Sequence, residues 1–287
     1  MSVVRSGIRW LGALVILAGL PSLSSAHPSW SIAHDRARGL VYYSDLRQVW
    51  SVDAAFARRL VVPNVHTHEL LVDAEGNLYG EDARVNGRHR VWRRSPGGVL
   101  ADLIPDSEGY RDDWGFVEGP GGALYWAKCE NLVKGRASCG VRRRLPGGRI
   151  EDAARGARFG HPLNFLSRDA DGRILIGDGP DVKRLKPDDS VEVVARGVTR
   201  ATDRFAFMGF HTADDGALYL AAFGDRTIVR VSKEGTRSIE ARSATPWSPT
   251  GVLKTTQGLW ILEFEGARAR LRFRPTKGAE RVFPVSP

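Results

Sequence analysis

Beyond its first 26 residues the chain alternates short apolar runs with clusters of Gly, Asp, Pro and Ser. One unit recurs: an apolar strand, a turn containing Asp or Gly, then a strand in which Leu or Val precedes Tyr or Trp. Its turn-plus-strand cores are DRARGLVYYSD (35–45), DAEGNLYGED (73–82), GPGGALYWAK (119–128), DADGRILIGD (169–178), ADDGALYLAA (213–222) and TTQGLWILEF (255–264). Two further β-like runs follow each core, joined by turns such as SPGG, LPGG, KPDD and SKEG, whose Pro, Gly and Asp supply hairpin chemistry. Four short strands repeating at this spacing predict an all-β fold, a six-bladed β-propeller with four-stranded antiparallel blades. A single blade cannot bury both its faces, so the alternating apolar and aromatic positions are expected at blade–blade interfaces.

The first 26 residues are read differently. Arg5 and Arg9, the apolar stretch WLGALVILAGL (10–20) and the small residues SLSSA form a secretory signal pattern ending at Ala26. The apolar stretch is shorter than the roughly 20 residues a membrane span needs. The expected organisation is a signal peptide over 1–26 and a propeller over 27–287, secreted or periplasmic, with no integral membrane segment once the signal is removed. A monomer is expected.

Composition adds two points. The formal charge of +9 is almost all Arg, with 42 basic residues against 33 acidic ones. That balance suits anionic partners or simply a solvated surface; it comes with no nucleic-acid motif, and a nucleic-acid partner is not expected. The two cysteines, in CENLVKGRASC, are close and even in number. In an oxidising compartment they predict one disulfide, Cys129–Cys139. The alternative, a zinc site, lacks a second pair of ligands at the required spacing.

The blade pattern resembles the six-bladed propellers of the NHL-repeat, gluconolactonase-like (regucalcin-type) and streptogramin-lyase-like group, across all six units. The resemblance implies a fold more directly than a reaction. In such a ring a ligand site is expected at the mouth of the central channel, built from the starts of the innermost strands and the loops between second and third strands. Aligning the six turns puts Ser31, His68, Trp114, Asn164, Met208 and Pro249 at one equivalent position. His66, His68 and His161 then gather at strand starts, with Asp112 and Asp203 nearby.

At i and i+2 on a strand, His66 and His68 share a side, and two imidazoles there could serve one ion. His161 or Asp112 would complete the set, with zinc or calcium as the candidate cofactor. The competing reading gives these histidines hydrogen-bonding roles inside the rim. The resemblance transfers incompletely. Amidating lyase holds zinc by histidines from three blades, but Asn164 and Pro249 stand at two of the places here. Gluconolactonase-like proteins use a Glu, Asn and Asp set; Asn164 and Asp203 could match two members, yet HPSWSIAHD lacks the Glu. His211 lies out of register with the His of streptogramin lyase.

Two functions are therefore carried forward. In one, a channel-mouth ion polarises a carbonyl while Glu69, Glu81 or Asp82 acts as general base, giving a metal-dependent lactone hydrolase or lyase. In the other, the protein is a non-catalytic binding propeller for a sugar, peptide or protein partner. Asp112, Trp114, Asn164, Asp203 and Arg204 would contact the small-molecule or glycan ligand.

Overall fold

The computed structural model describes residues 28–83, 88–108, 114–130, 138–161, 163, 165–201 and 206–283. The predicted signal segment lies outside them, as do Asp112, Asn164, Asp203 and Arg204.

Twenty-four strands form six four-stranded antiparallel sheets arranged as a six-bladed propeller. Blade 1 contains β1 (Ile32–Asp35), β2 (Leu40–Ser44), β3 (Gln48–Val52) and β4 (Arg58–Pro63). Blade 2 contains β5 (Leu70–Val72), β6 (Leu78–Ala83), β7 (Arg88–Arg94) and β8 (Leu100–Glu108). Blade 3 contains β9 (Val117–Glu118), β10 (Leu124–Glu130), β11 (Ser138–Arg144) and β12 (Ile150–Ala153). Blade 4 contains β13 (Leu166–Arg168), β14 (Ile174–Asp178), β15 (Asp181–Leu185) and β16 (Val191–Ala195). Blade 5 contains β17 (Phe210–Thr212), β18 (Leu218–Ala222), β19 (Thr227–Val231) and β20 (Arg237–Arg242). Blade 6 contains β21 (Ser248–Lys254), β22 (Gly258–Glu265), β23 (Arg268–Pro275) and β24 (Arg281–Phe283). Among the described residues, no helix is long and apolar enough to cross a membrane.

The turns work as their residues predict. Asp73 accepts from the Asn77 backbone amide at 2.7 Å, the Asn77 side chain at 2.8 Å and the Tyr79 hydroxyl at 2.7 Å. Gly76 closes this turn at φ 79°, a left-handed conformation that costs Gly least. Asp169 does the same in blade 4, accepting from the Asp171 and Arg173 amides.

Apolar side chains sit between blades. Separate clusters fill the seams of blades 1 and 2 (Val49, Val62, Leu78, Trp92), 3 and 4 (Val141, Leu166, Ile174, Ile176), 4 and 5 (Leu175, Val182, Phe210, Leu220), and 5 and 6 (Tyr219, Ile228, Val252, Ile261). Val91, Ile104 and Phe116 hold the seam of blades 2 and 3. The two cysteines pair as expected, joining opposite residues of β10 and β11. The Leu163 amide, on the approach to β13, points at their sulfurs from 3.3 and 3.4 Å, so the bridge packs against the next blade. Closing this short loop contributes roughly 3 kcal/mol on a chain-entropy account.

Each blade uses four consecutive strands, so no strand is shared across the seam where blade 6 meets blade 1. Among the described residues no strand ladder crosses this seam, and packing closes the ring there. Phe56, in the turn between β3 and β4, has φ 66°, unusual for a non-Gly residue. Its ring lies 5.1 Å from that of Phe273, 6.0 Å from Trp260 and 6.3 Å from Phe283. Trp260 and Phe273 are 4.4 Å apart, and the Arg281 guanidinium covers the outer face of Phe56 at 4.3 Å. Such ring pairs add roughly 0.5–1.5 kcal/mol each beyond burial. Trp260→Ala is expected to lower unfolding free energy by about 3–5 kcal/mol, whereas Leu60→Ala, at an exposed outer-strand position, shifts it by less than about 0.5 kcal/mol. Urea denaturation of the two variants checks this.

Candidate functional site

Strand pairing fixes which residues are equivalent around the axis. Leu70 pairs with Gly80 and Phe210 with Leu220, so His68 and Met208 are equivalent. In blade 1, Ala33 pairs with Tyr42 and the turn spans four residues, 36–39, one more than the 74–76 loop of blade 2. In blade 6 the register shifts between Pro249 and Gly251. Trp30 and Thr250, rather than Ser31 and Pro249, therefore occupy the place of His68.

The rim at the strand starts is built of tight polar contacts. His68 is buried with its Nδ1 3.2 Å from Glu81 Oε1. Its ring meets Trp30 of blade 1 at 5.3 Å between centroids and His66 at 4.8 Å. Ser29 donates to the His68 carbonyl, and Ser31 exchanges hydrogen bonds with the Leu70 backbone, stitching β1 to β5. His66 turns its Nδ1 to the Leu46 carbonyl at 3.1 Å, while its backbone amide donates to Asp82 at 2.9 Å. Asp82 also accepts from Arg90 Nε at 3.1 Å. These bonds make Asp82 an anchor for the incoming chain.

His161 occupies the corresponding place in blade 4. Its amide and that of Gly160 donate to Asp178, which Lys183 also engages at 2.5 Å. The imidazole packs on Gly179, where an added Cβ would fall 2.3 Å from Nδ1. Among the described residues no three His, Cys, Asp or Glu side chains converge as a metal site. Asp178 is already ion-paired with Lys183, and Asp112 lies outside the described residues. The donors described here thus do not assemble the ion-binding set expected from the sequence.

Inside the ring lies a cavity of about 660 Å³, a volume typical of small-molecule sites. Trp30, Ser31, Glu69 and Phe165 line its end at the strand starts. Leu71, Val117, Ser167, His211 and Leu253 form the waist. At the other end the lining reaches the turns that follow the inner strands, through Arg36, Gly172 and Asp214. His66, His68, Glu81, Asp82 and His161 are not among the residues that line it.

Glu69 belongs to both places. It borders the cavity, accepts from Trp30 Nε1 at 3.4 Å, and is pushed up to about 8 by burial first and by the neighbouring Glu81 charge second. The carboxyl is therefore protonated at neutral pH. At the waist, burial and then the Arg36 and His34 charges lower His211 to about 4, leaving it neutral. Trp114, expected to contact the ligand, is already engaged, and so is Trp247. Trp114 packs into the seam of blades 2 and 3 with Arg144 over its ring at 5.1 Å, and Arg270 covers Trp247 at 4.3 Å.

Neither a protein-family model nor a curated protein sequence matches this chain. Solved structures do resemble it. Streptogramin B lyase aligns at 15% identity over 90% of this chain and 83% of its own, with a TM-score of 0.57. A gluconolactonase from Xanthomonas campestris aligns at 14% identity over 92% and 88%, with a TM-score of 0.59. Regucalcin, a calcium-binding protein from Agrobacterium tumefaciens, aligns at 16% identity over 88% and 83%, with a TM-score of 0.55. At such identities the shared property is the six-bladed fold.

Of the residues expected to act, the structure brings His66, His68, Glu69 and Glu81 together, and sets His161 apart on the loop of blade 4. Trp30, Glu118 and Arg168 were not singled out from the sequence. Their common signal is position along an inner strand, which becomes readable once the register is fixed.

The Glu69 shift makes stability pH-dependent. Because its folded pKa lies above the unfolded value of 4.5, the native state binds the extra proton between these limits. The contribution of this group is most favourable below pH 4.5, declines as pH rises to about 8, and is flat above. Glu69→Gln should remove that decline, so the difference in unfolding free energy between variant and wild type grows in favour of the variant from pH 5 to 8. Urea titrations at several pH values measure it.

Proposed function

We propose that this protein is an exported propeller performing acid–base chemistry on a small carbonyl compound in its central channel, as a lactone hydrolase or a ring-opening lyase. The observation that carries the reading is Glu69, a carboxyl protonated at neutral pH and bordering a 660 Å³ cavity. A carboxylic acid kept neutral at working pH is a proton donor held ready for use. Trp30 donates to one of its oxygens, leaving the other to carry the proton. His68 holds Glu81 in place, and the Glu81 charge helps keep Glu69 protonated.

In lactone hydrolysis, water adds to the carbonyl carbon and the ring C–O bond breaks. The Glu69 proton goes to the departing alkoxide oxygen, and the proton released by the attacking water restores the carboxyl. In ring opening by elimination, the Glu69 proton would go to the leaving oxygen as the C–O bond breaks and a C=C bond forms, and the proton lost from the adjacent carbon would restore the carboxyl. Zinc or calcium at the strand-start rim would add a Lewis acid; the described donors do not complete a ligand set, and the proton cycle uses protein groups alone. The resemblance in fold to a gluconolactonase and to streptogramin B lyase supports the reaction class. The signal pattern over 1–26 and the disulfide support export.

The test is hydrolysis of a panel of lactones by purified mature protein and its Glu69→Gln variant, with metal content measured alongside. The variant is expected to lose about 100-fold or more in kcat with KM little changed. Wild-type activity should be retained up to pH about 8 and fall above it as Glu69 ionises. Unchanged kcat in the variant, or ligand binding without turnover in the wild type, would overturn the catalytic reading. The second outcome would instead establish the binding propeller.

A further inference from the structure

The turn-face end of the cavity carries charges that do not cancel one another. Arg36 of blade 1 is paired with Asp214 of blade 5 at 2.7 Å. Asp169 is buried and held by Arg173 at 2.9 Å and Arg184 at 2.8 Å. Burial and Arg36 lower the pKa of His34, favouring its neutral form. Two lining charges remain: Glu118 ends β9, Arg168 ends β13, and neither has an ion-pair partner among the described residues. Strand pairing puts both at the same step, because Glu118 pairs with Leu124 and Arg168 with Ile174, each the first residue of its second strand. β9 and β13 run side by side along the channel. The Arg168 backbone is fixed by the Thr212 hydroxyl, which donates to its carbonyl at 2.7 Å.

We propose that this end of the channel binds the free α-amino-acid group of a small molecule, with Arg168 taking the carboxylate and Glu118 the ammonium. A guanidinium matches a carboxylate through two parallel N–H donors, and a carboxylate beside it accepts from an ammonium. A ligand with only one of these charges leaves the opposite wall residue facing no counter-charge. Beyond the charged pair, the waist of Leu71, Val117 and Leu253 receives an apolar side chain directed towards Trp30 and Glu69. This site is separate from the strand-start rim. It deepens the channel reading by naming the chemical class of ligand, and it rests on the cavity rather than on proton transfer at Glu69.

Isothermal titration with L-leucine, L-phenylalanine and L-tryptophan tests the site, against N-acetyl-L-leucine, L-leucinamide and 4-methylpentanoic acid, which lack one or other charge. At least one free amino acid should bind, and each singly charged analogue should bind at least 10-fold more weakly than L-leucine. Arg168→Ala and Glu118→Gln, both at water-accessible positions and checked for folding by circular dichroism, should each weaken amino-acid binding by at least 10-fold. Leu60→Ala, at an exposed outer-strand position away from the channel, should bind amino acids as the wild type does, and because binding is read by titration and the Glu69 chemistry by lactone turnover, failure of one and failure of the other are separately visible. No binding of any free amino acid, equal binding of the blocked analogues, or unchanged affinity in both mouth variants would overturn the proposal.

Discussion

The ring stands on packing between blade faces, and its most exacting instance is the seam between blades 6 and 1. Because every blade draws on four consecutive strands, the backbone offers no shared ladder to clasp the two ends of the circle. Phe56 provides the clasp by leaving its own blade through a left-handed turn and entering the aromatic group of Trp260, Phe273 and Phe283. A strained backbone residue persists where surrounding contacts outweigh its cost, and here three aromatic side chains and the Arg281 guanidinium supply them. The channel depends on this seam. If blades 1 and 6 separate, β1 and β21 no longer flank one another, and Trp30 loses the fixed position from which it meets Glu69 and His68.

The repeated features of the fold were legible because each has a local cause. The turn at Asp73 to Gly76 satisfies its own backbone, and the alternation of Leu78 and Tyr79 sends one residue to each blade face whatever the rest of the ring does. The rim was less legible. Its alignment fails by one residue in blades 1 and 6, where an extra turn residue at 36–39 and the irregularity at Pro249–Gly251 move Trp30 and Thr250 into the place given to Ser31 and Pro249. The two-residue rule for His66 and His68 also has a limit. Alternation belongs to paired strand, and β5 begins only at Leu70, so His66 is free to turn towards the Leu46 carbonyl of the preceding blade.

Similar logic separates His161 from the other two. Asp82 and Asp178 are equivalent residues at the ends of second strands, and both capture the backbone amide of the chain entering the inner strand. The acids that look like a catalytic series in sequence are in part a repeated clamp. What distinguishes Glu69 cannot be read from its own neighbourhood in the chain. Its raised pKa follows first from burial within the ring and second from Glu81, 12 residues on, and its hydrogen bond comes from Trp30, 39 residues earlier in another blade.

The surplus of arginine does not make the electrostatics at the centre favour anions throughout, as the ion pairs show. Arg90 engages Asp82 and Asp102, Arg143 engages Glu151 and Asp189, and Arg270 and Arg272 share the fully buried Glu263. These pairs spend positive charge on the outer and middle strands, where it joins neighbouring elements. Charges beyond about a Debye length are largely screened, so a net excess elsewhere on the ring does little to hold Glu69 ionised. The groups close enough to set its state are apolar walls, the indole of Trp30 and a second carboxylate. An acid in such company has its pKa raised, and a strongly basic protein thereby favours a neutral carboxyl beside its channel.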